Sequence, residues 1–308
     1  MAIIELILKV AGLLIVSPLF QGLIKRLKGI LQGRKGPPVL QPYRDLYKYY
    51  FKERVVSKEV TWVFHLAPLA AFSSIFIAGI MVPWVNRSEW GFFADLILFV
   101  YLLGIPRFML ALAGLDASGS FGGMSSSREM AVSALVEPAL FLALLTLSLS
   151  SHSLRLDTII SSAKGIPFLT PPGFLAGLAF FIVVIAEVGR IPVDNPDTHL
   201  ELTMIHEGMV LEYSGRQLGL LHFAHWIKQL TLVMLLFNGF APFGLTMFTE
   251  ATFAVAATCF ALKLLIGAAL LALTESLMVK MRLFQMMDLL GFSFVLSATS
   301  LIFVATGG

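Results

Sequence analysis

Residues 186 to 216, AEVGRIPVDNPDTHLELTMIHEGMVLEYSGR, bring together groups able to take up and release protons. Glu187, Asp194, Asp197, Glu201, Glu207 and Glu212 alternate with His199 and His206, beside Arg190 and Arg216. They follow directly on an apolar run. Ionisable groups near hydrocarbon cost whole kcal/mol, so they mark a functional stretch by default. Glu187 and Arg190, three apart, are expected to share a helical face and pair. Pro192 and Pro196 then break the helix and leave Asp194 and Asp197 in an irregular segment at membrane depth. Such backbone survives only when buried in protein or lining a wet cavity, which predicts a polar cavity opening to the cytoplasm. Helix is expected to resume over 198 to 212, with His199, Thr203 and His206 on one face. Two histidines seven residues apart lie about 10.5 Å apart along a helix axis, too far to chelate one metal unaided, and HLELTMIHE lacks the H-E-x-x-H spacing of a zinc hydrolase. The chemistry expected here is proton transfer or partner contact, with no metal.

Further ionisable residues lie inside apolar runs. Arg107 follows Pro106 about halfway along the third run and needs an acidic partner. Glu137 stands directly before Pro138, which removes a backbone donor and loosens the helix. A desolvated carboxylate there suits reversible protonation; the plainer alternative is a salt bridge to Arg107 that joins helices. Lys9 and Lys263 are expected to snorkel or to pair with carboxylates. Between the third and fourth runs, GLDASGSFGGMSSSRE is rich in glycine and small hydroxyl residues. It either lets another chain approach closely or serves as a flexible connector. It is not a phosphate-binding fingerprint, because no strand precedes it.

The elements that must position these groups are membrane helices. The 308 residues are 57% apolar and 13% charged, with a mean hydropathy of +0.86. This predicts an all-α, polytopic membrane protein, a single membrane domain over 1–308. Spans of roughly 18 to 23 residues, enough to cross about 30 Å of hydrocarbon, are expected at 2–24, 62–84, 95–114, 130–150, 173–190, 226–248, 251–273 and 289–306, eight in all. The first is not a signal peptide: Glu5 and Lys9 lie inside it and the basic cluster follows it.

Cys259, the single cysteine, excludes an iron–sulfur cluster or zinc site built from cysteines of this chain, so any redox centre belongs to a partner. Lysine and arginine set the orientation. Ten lie in the loop over 25–61, and Arg128, Arg190, Arg216, Lys228, Lys280 and Arg282 fall on the same side, against Arg87, Arg155 and Lys164 opposite. Both termini are therefore expected outside and the basic loops in the cytoplasm. The net charge of +3 needs no nucleic acid to explain it. Within the first loop, glycine and proline at 33 to 42 disfavour helix. Residues 43 to 54 can form an interfacial helix, either anchoring to anionic lipid or docking a cytoplasmic partner.

GRKGPPVLQPYRDLYK at 33 to 48, SREM with the following Glu137, and AEVGRIPVDNPDTHLEL with LEYSG at 186 to 215 resemble the membrane subunit shared by respiratory complex I and the complex-I-like energy-converting nickel–iron hydrogenases. The resemblance covers essentially the whole chain. It implies a subunit that anchors a hydrophilic redox arm and feeds protons into the membrane, through Glu137 and Glu187 with Arg107, Asp194, His199, Glu201, Glu207 and Glu212. Arg34, Lys35, Arg128, Arg190 and Arg216 would form the docking surface. His199 stands where the quinone-reducing branch carries an acid, and TMIHEGMVL is about three residues longer. Both features are similar to the hydrogenase branch. The implied partners are hydrogenase large and small (iron–sulfur) subunits, antiporter-like membrane subunits and the lipid bilayer, in the cytoplasmic membrane of a bacterium or archaeon. The nickel–iron centre and iron–sulfur clusters would sit in the partners, with no cofactor in this chain.

Overall fold

The computed structural model describes residues 2–84, 94–162, 167–194, 204–242 and 253–307. Its elements are α1 (Ala2–Leu31), α2 (Gln41–Phe51), α3 (Trp62–Met81), α4 (Leu96–Asp116), α5 (Ser120–Ser151), α6 (Leu156–Ser162), α7 (Pro171–Glu187), α8 (His206–Val210), α9 (Gly215–Phe240), α10 (Phe253–Leu277) and α11 (Leu283–Ala305). The chain is an all-α polytopic membrane protein. Seven of these helices are at least 18 residues long and apolar enough to cross a membrane. The predicted fifth span is the exception. Pro171–Glu187 has 17 residues, a rod of about 25 Å against hydrocarbon of about 30 Å, so the chain leaves the helix while still at membrane depth.

Helix α9 is the hub. It packs on α1, α3, α7 and α10 and is buried on every side from Trp226 to Leu235, as expected of a helix without a solvated face. Outside it, α3 packs on α4, α4 on α5, and α5 on α7 and α11. Large apolar side chains such as Leu8, Tyr101, Phe108, Leu262 and Phe303 face outward, which suits lipid or neighbouring membrane chains.

The boundaries depart from the sequence reading where small residues let backbones meet. The segment from 114 to 129 is neither a connector nor an approach to another chain. Helix α5 begins at Ser120, and Gly114 and Gly122 pack backbone to backbone, so a methyl on Gly122 would strike the Gly114 carbonyl. Helix α1 runs on through the basic cluster to Leu31, and the chain then folds back along it. A methyl on Gly22 would meet the carbonyl of Val39, and one on Gly36 the backbone of Arg26.

Helix α7 ends for a local reason. Gly189 adopts φ +54°, and the Gly189 and Arg190 amides donate to the Ala186 and Ile185 carbonyls, both at 3.0 Å. This left-handed cap closes the helix one turn before Pro192. Arg190 therefore never occupies the helical position three residues after Glu187, and the expected Glu187–Arg190 pair does not form.

Candidate ion-coupling site

Arg107 is buried on α4 beside Pro106 and reaches three carboxylates with three different nitrogens. Its Nε lies 3.4 Å from Glu129 and its Nη1 3.4 Å from Glu137, both on α5, while Nη2 pairs closely with Glu187 at the end of α7. Only the forked guanidinium has this reach. The other Glu187 oxygen lies 2.6 Å from Lys228 Nζ on α9. Ser133 donates to Glu137 at 2.7 Å. Three carboxylates and two cations leave one negative charge in excess, and uptake of one proton would neutralise the cluster. Glu187 is sealed, its side chain 2% exposed, whereas the Glu137 side chain is 45% exposed. The cluster thus has an inner end at Glu187 and an outer end at Glu137, on the flank of the bundle.

A second cluster forms around Arg190. Its Nη1 donates to Glu275 at 2.6 Å, and its Nη2 to Gln21 at 2.5 Å and Gln229 at 3.1 Å. Lys28 lies 3.1 Å from the second Glu275 oxygen. These bonds tie α1, α9 and α10 to the segment after α7. Asp194 pairs with Lys280 at 2.8 Å and accepts from the amides of Ile205 (3.3 Å) and His206 (3.1 Å). The irregular backbone at 188–194 is buried and hydrogen-bonded, which is how such backbone persists at membrane depth.

The expected polar cavity is present. A chamber of about 620 Å³ is walled by Gln21, Lys25 and Lys28 of α1, Arg34 and Lys35 of the first loop, Asp45 and Tyr49 of α2, and Arg190, Asp194, His206, Glu207, His222, His225 and Glu275. Two small cavities continue inward, one of about 50 Å³ reaching Arg107 and Lys228, the other of about 10 Å³ reaching Glu129 and Glu187.

The sequence-predicted residues divide. Glu137, Glu187 and Arg107 meet, and Asp194 and Glu207 line the chamber. His199, Glu201 and the neighbouring Asp197 lie outside the described residues, as does most of the helix expected over 198 to 212, of which His206–Val210 is helical. Glu212 is exposed on the surface near Gly119. Of the docking residues, Arg34 and Lys35 are exposed. Arg190 is 4% exposed and committed to Glu275, so it cannot serve as a docking contact. Arg128 donates to the Met204 carbonyl at 3.1 Å. Arg216 donates to the Tyr50 carbonyl at 3.1 Å and lies over the Tyr50 ring, joining α9 to α2. Tyr213 stacks on Phe64 with 4.0 Å between ring centroids, and Ser214 bonds both the amide and the carbonyl of Val55. The EYSG motif is therefore an internal clasp. Lys263 bonds the Asn238 amide oxygen at 2.7 Å and not a carboxylate.

Sequence reasoning missed Glu129, His222, His225 and the role of Lys228. The span expected from 226 begins at Gly215, so His222 and His225 fall in a stretch that hydropathy alone assigns to loop. The spacing of three between His222, His225 and Lys228, one polar residue per turn, was the available signal.

Comparison with known proteins matches residues 4–306 to the family model described as NADH dehydrogenase. The chain belongs to that family. It is 32% identical over 303 residues to hydrogenase-4 component C of Escherichia coli (strain K12), covering 96% of this chain and 93% of the relative. Formate hydrogenlyase subunit 4 of the same organism is 30% identical over 286 residues, 92% of each chain. A membrane subunit of the NADH-quinone oxidoreductase of Symbiobacterium thermophilum is 31% identical over 222 residues, 68% of this chain and 66% of the relative. Among solved structures, a chain of the archaeal membrane-bound sulfane sulfur reductase superposes with a TM-score of 0.85 at 20% identity, over 98% of this chain and 99% of the other. That likeness is one of fold. The family agrees with the resemblance carried by GRKGPPVLQPYRDLYK, SREM and AEVGRIPVDNPDTHLEL, and the two hydrogenase relatives share more than nine tenths of their length with this chain.

Proposed function

We propose that this chain is the membrane anchor and ion-coupling subunit of a complex-I-like energy-converting nickel–iron hydrogenase. It docks a soluble redox arm on its basic face and links electron transfer in that arm to translocation of protons or sodium ions. The observation that carries this reading is the Arg107–Glu187 cluster, one negative charge in excess, joined by small cavities to a charged chamber at the basic end. Charge appearing near the chamber shifts the proton occupancy of buried carboxylates through their neighbours. Glu137 at the outer end hands the ion to an adjoining antiporter-like subunit. The nickel–iron centre and iron–sulfur clusters belong to the hydrogenase large and small subunits. The basic loops face the cytoplasm of a bacterium or archaeon, with both termini outside.

A second reading, the quinone-site subunit of an NADH:quinone oxidoreductase, is favoured by the chamber's size, which suits a small molecule. Such sites are mostly apolar, however, and this wall carries Lys25, Lys28, Arg34, Arg190, Asp194 and Glu275. Purifying the complex from membranes through this chain separates the two. Nickel, iron–sulfur subunits and hydrogen turnover insensitive to quinone-site inhibitors are expected; quinone reduction blocked by such inhibitors, without nickel, overturns the hydrogenase reading.

Docking is tested at Arg34 and Lys35, exposed at the chamber mouth. Reversing both to glutamate is expected to release most of the soluble subunits during a salt wash. If those subunits stay bound as in the parent, the loop anchors to lipid instead.

A further inference from the structure

His206 lines all three cavities: the chamber, the 50 Å³ cavity and the 10 Å³ cavity. Its ring centroid lies 5.4 Å from that of His225. On α9, His222, His225 and Lys228 follow at intervals of three, one below the next on one face. At the foot of this ladder Lys228 holds Glu187 at 2.6 Å. At its head, His222 stacks on Tyr49 of α2 with 5.5 Å between centroids, where the chamber opens. A polar stripe running from a wet chamber to a sealed carboxylate has no packing purpose that leucine would not serve better.

We propose that His206, His222 and His225 form the proton relay between the chamber and Lys228–Glu187. The relay rests on the coupling function proposed above. A void of 10 to 15 Å³ already admits one water, so the 50 Å³ cavity has room for a few, and imidazoles at this spacing exchange protons directly or through one of them. A chamber water gives a proton to a free ring nitrogen of His206 or His222. The imidazolium passes a proton to His225 from its other nitrogen. His225 gives one to the Lys228 amine, vacated when the Lys228 ammonium transfers its own proton to the Glu187 carboxylate. Each group returns to its starting charge once its proton has moved on, and the cluster holds the one proton that neutralises it.

The electrostatic setting limits the relay to single protons. Glu207 on α8 and Asp45 on α2 face it from the chamber side, and Lys25 on α1 stands across the chamber. Arg107 on α4 and Arg190 beside Gly189 approach from the inner side. With cations at the inner end, a second proton on the ladder repels the first, so each must be delivered before the next enters.

The test uses the whole complex in inverted membrane vesicles, reading ions moved per turnover and the pH profile of that ratio. His225→Gln and His206→Gln are expected to lower the ratio about tenfold, below the full effect of an acid–base group because water in the cavity gives a partial bypass, and to change the profile. His225→Ala is expected to fall likewise and to recover with added imidazole, which fits the space vacated. An unchanged ratio and profile in the variants overturns the relay, and so does a fall that imidazole leaves untouched, since lost packing alone gives that result. Glu187→Gln measured beside them keeps the two readings apart. If it uncouples while the histidine variants do not, the relay fails alone; if it too remains coupled, the coupling function fails and the relay with it.

Discussion

Replacing Arg107 by leucine is expected to cost the complex most of its assembly. Among the described residues, Arg107 is the one group that pairs with Glu129, Glu137 and Glu187 together. Its removal leaves three carboxylates facing the Lys228 ammonium. Breaking one buried ion pair from one side typically costs about 3–5 kcal/mol, because a charge is left uncompensated, and that is a large share of the stability of most proteins. Arg107→Lys keeps the charge but not the fork. It is expected to retain Glu187 and lose Glu129 and Glu137, giving an intermediate loss. Adding Glu187→Gln to Arg107→Leu restores the parent's net charge and is expected to recover part of the loss, a non-additivity of neighbours. The measurement is the amount of intact complex and its thermal midpoint in detergent across the parent and these three variants. Full assembly of Arg107→Leu would show that the cluster does not hold α4, α5 and α7 together.

Much of this could be read from residue order, because hydrocarbon imposes strong rules. An apolar run must be helix, and an arginine within one must find acid; Arg107 found three. The polar chamber followed from Pro192, Asp194 and the basic loops by the same reasoning. What escaped was tertiary. Glu187 and Arg190 look like a local pair, yet the left-handed turn at Gly189 sends them to different clusters, and their partners Lys228 and Glu275 lie far along the chain. Hydropathy misplaces helix ends wherever polar residues continue a helix past the apolar run. This hid Glu129 at the start of α5 and the His222–His225–Lys228 ladder at the start of α9. Arg190 and Arg216 read as docking residues because they lie on the basic side. Pairing with Glu275 and stacking on Tyr50 occupy them within the chain.

Glu187→Gln is expected to leave the complex assembled and to uncouple it. The amide preserves volume and hydrogen bonding and gives a cluster of two carboxylates and two cations, the charge state that the parent reaches only on taking up a proton. The site is thereby fixed at one end of its cycle. Loss of a positioned acid–base group slows its proton-transfer step about 10²-fold or more. Glu137→Gln, at the half-exposed outer end, is expected to lose less. Inverted vesicles supplied with the complex's electron donor give the decisive measurement, the size of the ion gradient per hydrogen molecule evolved. The parent builds a gradient that a protonophore or sodium ionophore collapses, and Glu187→Gln evolves hydrogen with almost none. A Glu187→Gln gradient per hydrogen molecule equal to the parent's would contradict the account.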